Sequence, residues 1–308
     1  MPWAHPVPTE ILGGIAVAVK KRGRGKAHGA LGIVNAIGSG GYGAAAALDL
    51  SVEVEVWLCS SSHGYTVTRG QHVDIDPAIL DAVAETASNV LGRHVAPICA
   101  RGFSEVPLEA GLKGSSALIN ALLEAVLGLY GVSLGVEELA RLGVDAARRA
   151  GLTVTGALDD HLAVSGCGAY ATDNTRQAIV TREPSLSGYA VIAVPGRRSI
   201  RGIDLETFRL YQELYIAAWK LVLAGDWYAA ATVNGVATMM ATGSEPSKLL
   251  ALLTMEGVDA VGVSGKGPAV YAITSSRDVV PRVKDMLEKA MGAPTLVSRI
   301  TPCNSHLH

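Results

Sequence analysis

Pro107-Leu108-Glu109-Ala110-Gly111-Leu112-Lys113-Gly114-Ser115-Ser116-Ala117 leads without a break into a run that stays nearly apolar as far as Leu129. Ser115–Leu129 reads as a helix that is apolar on almost every side and therefore buried. A glycine-bearing loop opening onto such a helix has the makings of an anion site. Glycine lets backbone approach a phosphate closely. The first-turn N–H groups have no partner within the helix, and the helix dipole favours negative charge there. Lys113 adds a cation, Ser115 can offer a hydroxyl to a phosphate, and Ser116 can offer one to a magnesium ion. The loop is not a Walker A loop, because G-x-x-x-x-G-K-[ST] occurs nowhere in the chain. On spacing alone, a structural helix cap is the alternative reading.

Two other glycine-rich stretches compete with it. Gly38-Ser39-Gly40-Gly41-Tyr42-Gly43 formally matches the dinucleotide fingerprint. A dinucleotide fold, however, needs a crossover helix before a buried parallel strand. Here only Ala44–Ser51 separates the loop from Val52–Leu58, where Val52, Val54 and Val56 alternate with Glu53 and Glu55. That alternation marks a half-buried strand of an antiparallel sheet, so a tight hairpin-like turn is expected. Gly262-Val263-Ser264-Gly265-Lys266-Gly267-Pro268-Ala269 lies between two strand-like segments and by itself reads as a turn. A fourth stretch, Thr153-Val154-Thr155-Gly156-Ala157-Leu158-Asp159-Asp160-His161, carries two adjacent carboxylates. One could receive the proton of a substrate hydroxyl or anchor that hydroxyl; otherwise the pair caps a short helix, with His161 an ordinary polar helix residue.

The rest of the chain alternates less regularly. Lys26–Ile37 reads as an apolar strand. Asp76-Pro77 starts a helix, with Asp as N-cap and Pro at the first helical position, and a third helix runs from about Val136 to Ala150 with Gly151 placed to cap it. Tyr189–Pro195 is a strand, helical stretches follow to about Ala241, and strands Val258–Val263 and Ala269–Thr274 flank a turn. An amphipathic helix, Arg277–Met291, and a closing strand, Thr295–Ile300, complete the chain. Strands and helices without regular βαβ alternation argue for an α+β class.

Bulk properties narrow the function. The 308 residues suit two domains or one large one, with 49% apolar and 18% charged residues supplying a core. A net charge of −2 gives no electrostatic reason to expect nucleic acid or an anionic membrane as partner. No window holds the roughly 18 uninterrupted apolar residues of a spanning helix. The N-terminal apolar stretch precedes its basic run, the reverse of an export signal. Cys59, Cys99, Cys167 and Cys303 form no Cys-x-x-Cys pair, so neither a zinc site nor a disulfide framework is expected, and a reducing cytosol fits.

Taken in order, Gly29–Ile37, Pro107–Ala117 and Gly262–Ala269 resemble the three motifs of the GHMP kinases, a superfamily named for galactokinase, homoserine kinase, mevalonate kinase and phosphomevalonate kinase. His28-Gly29-Ala30 running into Ile33-Val34-Asn35-Ala36-Ile37, the Gly111-Leu112-Lys113 opening, Thr153–Asp160 and Thr172-Asp173-Asn174 are similar to the archaeal-type shikimate kinase branch over residues 26–300. The resemblance implies a two-domain α+β fold: an ATP-binding domain over 26–185 with the phosphate loop, and a ferredoxin-like domain over 186–308. Residues 1–25 remain as an extension with no counterpart, and Gly114 stands where the branch usually has a serine.

It further implies ATP, a magnesium ion held in part by Ser116, and transfer of the γ-phosphoryl group to the 3-hydroxyl of shikimate in the cytoplasm. Pro107, Leu108, Glu109, Ala110, Gly111, Leu112, Lys113, Gly114, Ser115, Ser116 and Ala117 would then bind ATP. Asp159 or Asp160 would be the catalytic carboxylate, Asp159 being preferred from its galactokinase-like distance to Gly156. Asn35, Thr155, Arg197 and Arg198 are the expected substrate contacts. The arginines follow from chemistry: a substrate carboxylate is best met by a planar guanidinium, and Arg197, Arg198 and Arg201 directly follow the Tyr189–Pro195 strand. Oligomeric state is left open.

Overall fold

The computed structural model describes residues 9–12, 15–18, 20–153, 155–197 and 205–303. A separate antiparallel pair, β1 (Thr9–Leu12) and β2 (Ile15–Ala18), comes first. The N-terminal block then runs β3 (Gly23–Val34), β4 (Tyr42–Leu58), β5 (His63–Thr68), β6 (Gln71–Asp74), α1 (Pro77–Leu91), β7 (Ile98–Ser104), α2 (Gly114–Leu129), α3 (Val136–Arg149), α4 (Leu158–Ala163), β8 (Ala169–Asp173) and β9 (Ala178–Glu183). The C-terminal block runs β10 (Gly188–Ala193), α5 (Leu205–Arg209), α6 (Gln212–Leu223), α7 (Trp227–Ala241), α8 (Ser247–Leu253), β11 (Ala260–Val263), β12 (Val270–Thr274), α9 (Val280–Met291) and β13 (Thr295–Ile300).

The long strand β4 organises the first block. One edge pairs with β3; along the other, its first residues pair with β8 and its last with β7. All pairings among the described strands are antiparallel except β5 with β7. Val52, Val54 and Val56 are buried as their alternation predicts. Outside, Glu55 collects Arg22, Arg24 and Arg101, and the Arg101 hydrogen bond holds its carboxyl below the ordinary range. The apolar helix α2 lies against β3 and β4. It can sit so close because a Cβ at Gly23 or Gly25 would fall 1.9 Å from the Ala125 or Ala121 carbonyl oxygen.

The second block follows β-α-β-β-α-β order with strands arranged β13-β10-β12-β11, all antiparallel, the split pattern of ferredoxin-like folds. It meets the first sheet at a single register pair, Ile300 with Leu48. The sheets change between Glu183 and Gly188.

Several expectations need correction. Ala44–Ser51 is no spacer: Tyr42–Leu58 is one continuous strand, and the glycine stretch before it turns the chain from β3 into antiparallel β4. That topology removes the dinucleotide reading. Arg277–Val279 is a 3₁₀ turn, and the α-helix starts at Val280. The largest correction concerns cysteine. Cys59 is bonded to Cys99 and Cys167 to Cys303, so the expectation of no disulfide framework is overturned. The partners are 40 and 136 residues apart in sequence, yet folding brings their Cα atoms to 5.9 and 4.8 Å, within disulfide range. No helix among the described residues is long and apolar enough to cross a membrane.

Candidate active site

Three separate segments meet at the N-terminus of α2, and Ser264 joins them. Its Oγ accepts from the Gly32 N–H at 2.9 Å and donates to the Gly111 carbonyl at 2.8 Å. Ala269 N–H donates to the Ala110 carbonyl, and Ala30 N–H to the Leu112 carbonyl. Asn35 donates from Nδ2 to the Gly265 carbonyl at 2.7 Å. A Cβ on Gly32 would lie 2.6 Å from Gly265 N, and one on Gly111 (φ +87°) would lie 2.6 Å from the Ser264 carbonyl oxygen. Glycine at these positions lets the three stretches touch through their backbones.

The junction borders a cavity of about 370 Å³. Nine of the eleven phosphate-loop residues named from sequence line it; Leu112 and Ala117 point into the core instead. Helix α2 begins there without a side-chain cap, and Lys113 before it is left-handed (φ +61°). An uncapped 16-residue helix opening into a cavity presents free N–H donors and positive dipole, which favours the anion reading over the structural cap. Among the described residues, five non-glycine residues have positive φ, and Glu109, Lys113 and Ala157 of these line this cavity. Strained backbone thus concentrates at one place, as it does in functional sites.

Short helix α4 delivers both carboxylates. Asp160 pairs with Lys113 Nζ at 2.8 Å. Burial would lower the Lys113 pKa, but the charges of Asp160 and Asp159 outweigh it and hold the ammonium above its ordinary range. Asp159 is buried. Its Oδ1 accepts from Asn174 Nδ2 at 2.8 Å and from Thr172 Oγ1 at 3.3 Å. Burial first, and the neighbouring Asp160 charge second, push its carboxyl up to about 7 against the opposing pull of Lys113 and Asn174. Gly43 makes the room: a Cβ there would fall 2.4 Å from Asp159 Oδ1. His161, expected to be an ordinary polar helix residue, is buried. Its Nδ1 meets Asn120 Oδ1 at 2.7 Å, and burial lowers its pKa to about 4.

The expected substrate contacts fare unequally. Asn35 and Thr155 line the cavity, although the Asn35 amide is engaged with the Gly265 carbonyl and the Ile37 N–H. Arg197 is exposed, reaches Gln71 on β6, and is not part of the cavity wall. Arg198 and Arg201 lie outside the described residues.

Sequence reasoning missed Gly43, Thr172 and Asn174 as neighbours of Asp159. It also missed Thr66, Thr68 and Ser104, three buried hydroxyl residues along the same cavity; the Thr66 and Thr68 hydroxyls have no partner among the described residues. Two buried threonines alternating on a short strand were a weak available signal.

Residues 79–168 match the GHMP kinases N terminal domain. The shikimate kinase of Aeropyrum pernix is 42% identical over 260 residues, covering 82% of this chain and 90% of the relative. That of Thermococcus kodakarensis is 35% identical over 259 residues, covering 82% and 92%. Among solved structures, Lactococcus lactis galactokinase complexed with galactose superimposes with a TM-score of 0.69 at 12% identity, covering 94% of this chain and 96% of that one. Homoserine kinase from Cytophaga hutchinsonii gives 0.67 at 16%, covering 92% and 96%; both show the fold. With such identity over nine-tenths of its relatives' length and the ordered motifs meeting at one cavity, the chain belongs to the archaeal shikimate kinase family of the GHMP kinase superfamily.

Proposed function

We propose that this chain transfers the γ-phosphoryl group of ATP to the 3-hydroxyl of shikimate. The observation carrying the proposal is the meeting of an uncapped helix N-terminus, a buried carboxylate and a lysine between them at one cavity, in a chain related to shikimate kinases.

The residues fit a nucleotide. The N–H groups of Gly114, Ser115 and Ser116 would hold phosphate oxygens, with Lys113 Nζ and the Ser115 hydroxyl beside them. Thr66, Thr68 and Ser104, which line the cavity together with Leu118, suit the polar edge and flat faces of a nucleobase. Among the described residues, no cluster of three or more His, Cys, Asp or Glu could hold a metal ion. This fits magnesium carried mostly by phosphate oxygens, with the Ser116 hydroxyl as protein ligand. Bound there, the ion would neutralise charge on the phosphoryl oxygens.

Asp159 then orients the acceptor hydroxyl and takes its proton as the oxygen–phosphorus bond forms. A carboxyl held well above the ordinary range is a competent base near neutral pH. Asp160 keeps Lys113 in place between the carboxylates and the phosphate loop. We assign the substrate carboxylate to the arginine segment after β10; Arg197 turns to Gln71, so Arg198 is the expected anchor.

The test is to incubate the protein with Mg-ATP and a panel of small alcohols and to follow ADP release. Turnover with shikimate is expected. Turnover of homoserine or mevalonate with none of shikimate would overturn the assignment.

A further inference from the structure

Thr172 and Asp173 end β8, Asn174 follows and bonds to the start of α4, and the proposed reaction gives these residues no task. Two of the three are tied to Asp159. Asn174 is buried, and each end of its amide is engaged. Oδ1 accepts from the Leu158 N–H at 2.7 Å, at the start of α4, and Nδ2 donates to Asp159 Oδ1 at 2.8 Å. Thr172, also buried, donates its single hydroxyl proton to Asn174 Oδ1 at 3.0 Å or to Asp159 Oδ1 at 3.3 Å. The Asn174 N–H in turn donates to the Gly41 carbonyl at 2.9 Å, which fastens the clamp to the β3–β4 turn. Gly43, two residues on, leaves the space in which the carboxylate sits.

We infer that Asn174, supported by Thr172, is a positioning residue for Asp159: it grips Oδ1, fixes the rotation of the carboxylate, and leaves Oδ2 to the acceptor hydroxyl. The inference rests on Asp159 acting on that hydroxyl. An amide suits the position because it can donate to a carboxylate and accept from a helix N–H at once, whereas a carboxylate can only accept. The clamp also works on the protonation of Asp159. A hydrogen bond donated to the ionised form favours that form, so Asn174 opposes the upward push of burial and keeps the base available.

The other charged or titratable groups around Asp159 are Asp160 and His161 on α4, Lys113 from the phosphate loop, Lys266 from the third glycine-rich stretch, and Asp173 and Arg176 at the end of β8. Asp160 is paired with Lys113, His161 turns to Asn120, and Asp173 accepts from Thr175 and Arg176. With these partners, Asp160, His161 and Asp173 do not take the place of the Asn174 amide.

Three variants test the inference in the full chain. Asn174→Asp preserves the acceptor for the Leu158 N–H but replaces the donor with a like charge. Asn174→Ala removes both. Thr172→Val removes the supporting hydroxyl, and Thr172→Ser, which keeps it, is the control. Two readouts are needed. The first is the titration of the Asp159 carboxyl followed by carbon-13 NMR without any ligand, its signal identified by its loss in Asp159→Asn. The second is kcat, KM and the pH profile with shikimate.

Both Asn174 variants should raise the Asp159 midpoint, Asn174→Asp the more, and move the acid limb of kcat/KM upward with it. They should lower kcat about 10²-fold, as misplacing a reacting group does, with the KM for ATP unchanged. Thr172→Val should shift both readouts in the same direction by less, and Thr172→Ser should restore them. If wild type phosphorylates shikimate and folded Asn174→Asp keeps its midpoint and its kcat, the inference is overturned. If the midpoint rises but wild type leaves shikimate untouched, the clamp stands and the substrate assignment falls.

Discussion

Asp159→Asn should separate what this carboxylate does for turnover from what it does to stability. Removing a general base lowers kcat by roughly 10²–10⁴-fold, and ATP affinity should stay within a few-fold because the group faces the acceptor. Stability should move the other way. Burial raises the folded pKa from 3.8 to about 7, so the folded chain retains a proton that the unfolded chain releases in that window. Stability contributed at acid pH is therefore lost as pH rises through the window. Above it Asp159→Asn should melt higher than wild type, and below about pH 4 the difference should vanish; melting curves across pH decide this. Asp160→Asn should lower kcat less, and the reverse ranking would exchange the two roles. A second residue prediction concerns Gly43→Ala. The new methyl would meet Asp159 Oδ1 at 2.4 Å, so kcat should drop about 10²-fold with the KM for ATP unaffected, and normal kinetics would contradict the packing. The Asp pair could be read from sequence because adjacent carboxylates are conspicuous. The ranking was inferred only from family spacing, and its physical basis could not be read, because Gly43 reaches Asp159 from the start of β4, Thr172 and Asn174 reach it from the end of β8, and nothing local announces that contact.

Among elements, the phosphate loop divides into residues that face the nucleotide and residues that hold the loop. Ser116→Ala should lower kcat by roughly 10²–10³-fold while leaving the melting temperature alone. Ser264→Ala should do the opposite. It strips partners from the buried Gly32 N–H and Gly111 carbonyl, each worth about 1–3 kcal/mol when left unsatisfied, so melting temperature should fall and the KM for ATP rise. Equal melting temperatures for the two variants would show that Ser264 is not the joint. The segment after β10 carries another contrast: Arg198→Ala should raise the KM for shikimate by the equivalent of about 2–5 kcal/mol, and Arg197→Ala should stay within about threefold. Small shifts in both would move the carboxylate anchor elsewhere. Long or strongly patterned elements were readable from sequence: α1 has its Asp76 cap, β4 its valine alternation, and α2 its apolar run. Strands β5, β7, β8 and β9 were not. The buried face of β5 is Gly64, Thr66 and Thr68, β7 contains Arg101 and Gly102, and β8 is buried on both faces, so hydrophobic alternation has nothing to register.

At the scale of the whole molecule, two sheets joined by one register pair need further fastening, and the C-terminal tail supplies it. Beyond β13 the Thr301 carbonyl accepts from the Gly168 N–H at 2.7 Å, Thr301 N–H donates to the Ala47 carbonyl at 3.1 Å, and Cys303 N–H donates to the Pro184 carbonyl at 2.8 Å. The Cys167–Cys303 bond locks this tail to the loop between α4 and β8. Contacts of this kind cannot be read from cysteine spacing, since nothing local announces that residue 303 returns to residue 167. Cross-linking removes loop-closure entropy from the unfolded chain, and the gain grows with the loop. For separations of 136 and 40 residues the chain-entropy relation gives about 5 and about 4 kcal/mol. Cys303→Ser should therefore destabilise more than Cys59→Ser, and the gap should exceed the entropic difference, because only the first bond spans both sheets. Neither bond touches the cavity lining, so kcat at moderate temperature should survive while the half-life at elevated temperature shortens, Cys303→Ser first. Denaturant unfolding of the two variants, with and without reductant, checks the ranking. If reductant destabilises wild type and leaves Cys303→Ser unchanged, Cys167–Cys303 is the dominant cross-link; if wild type is indifferent to reductant, the tail is held by its backbone hydrogen bonds alone.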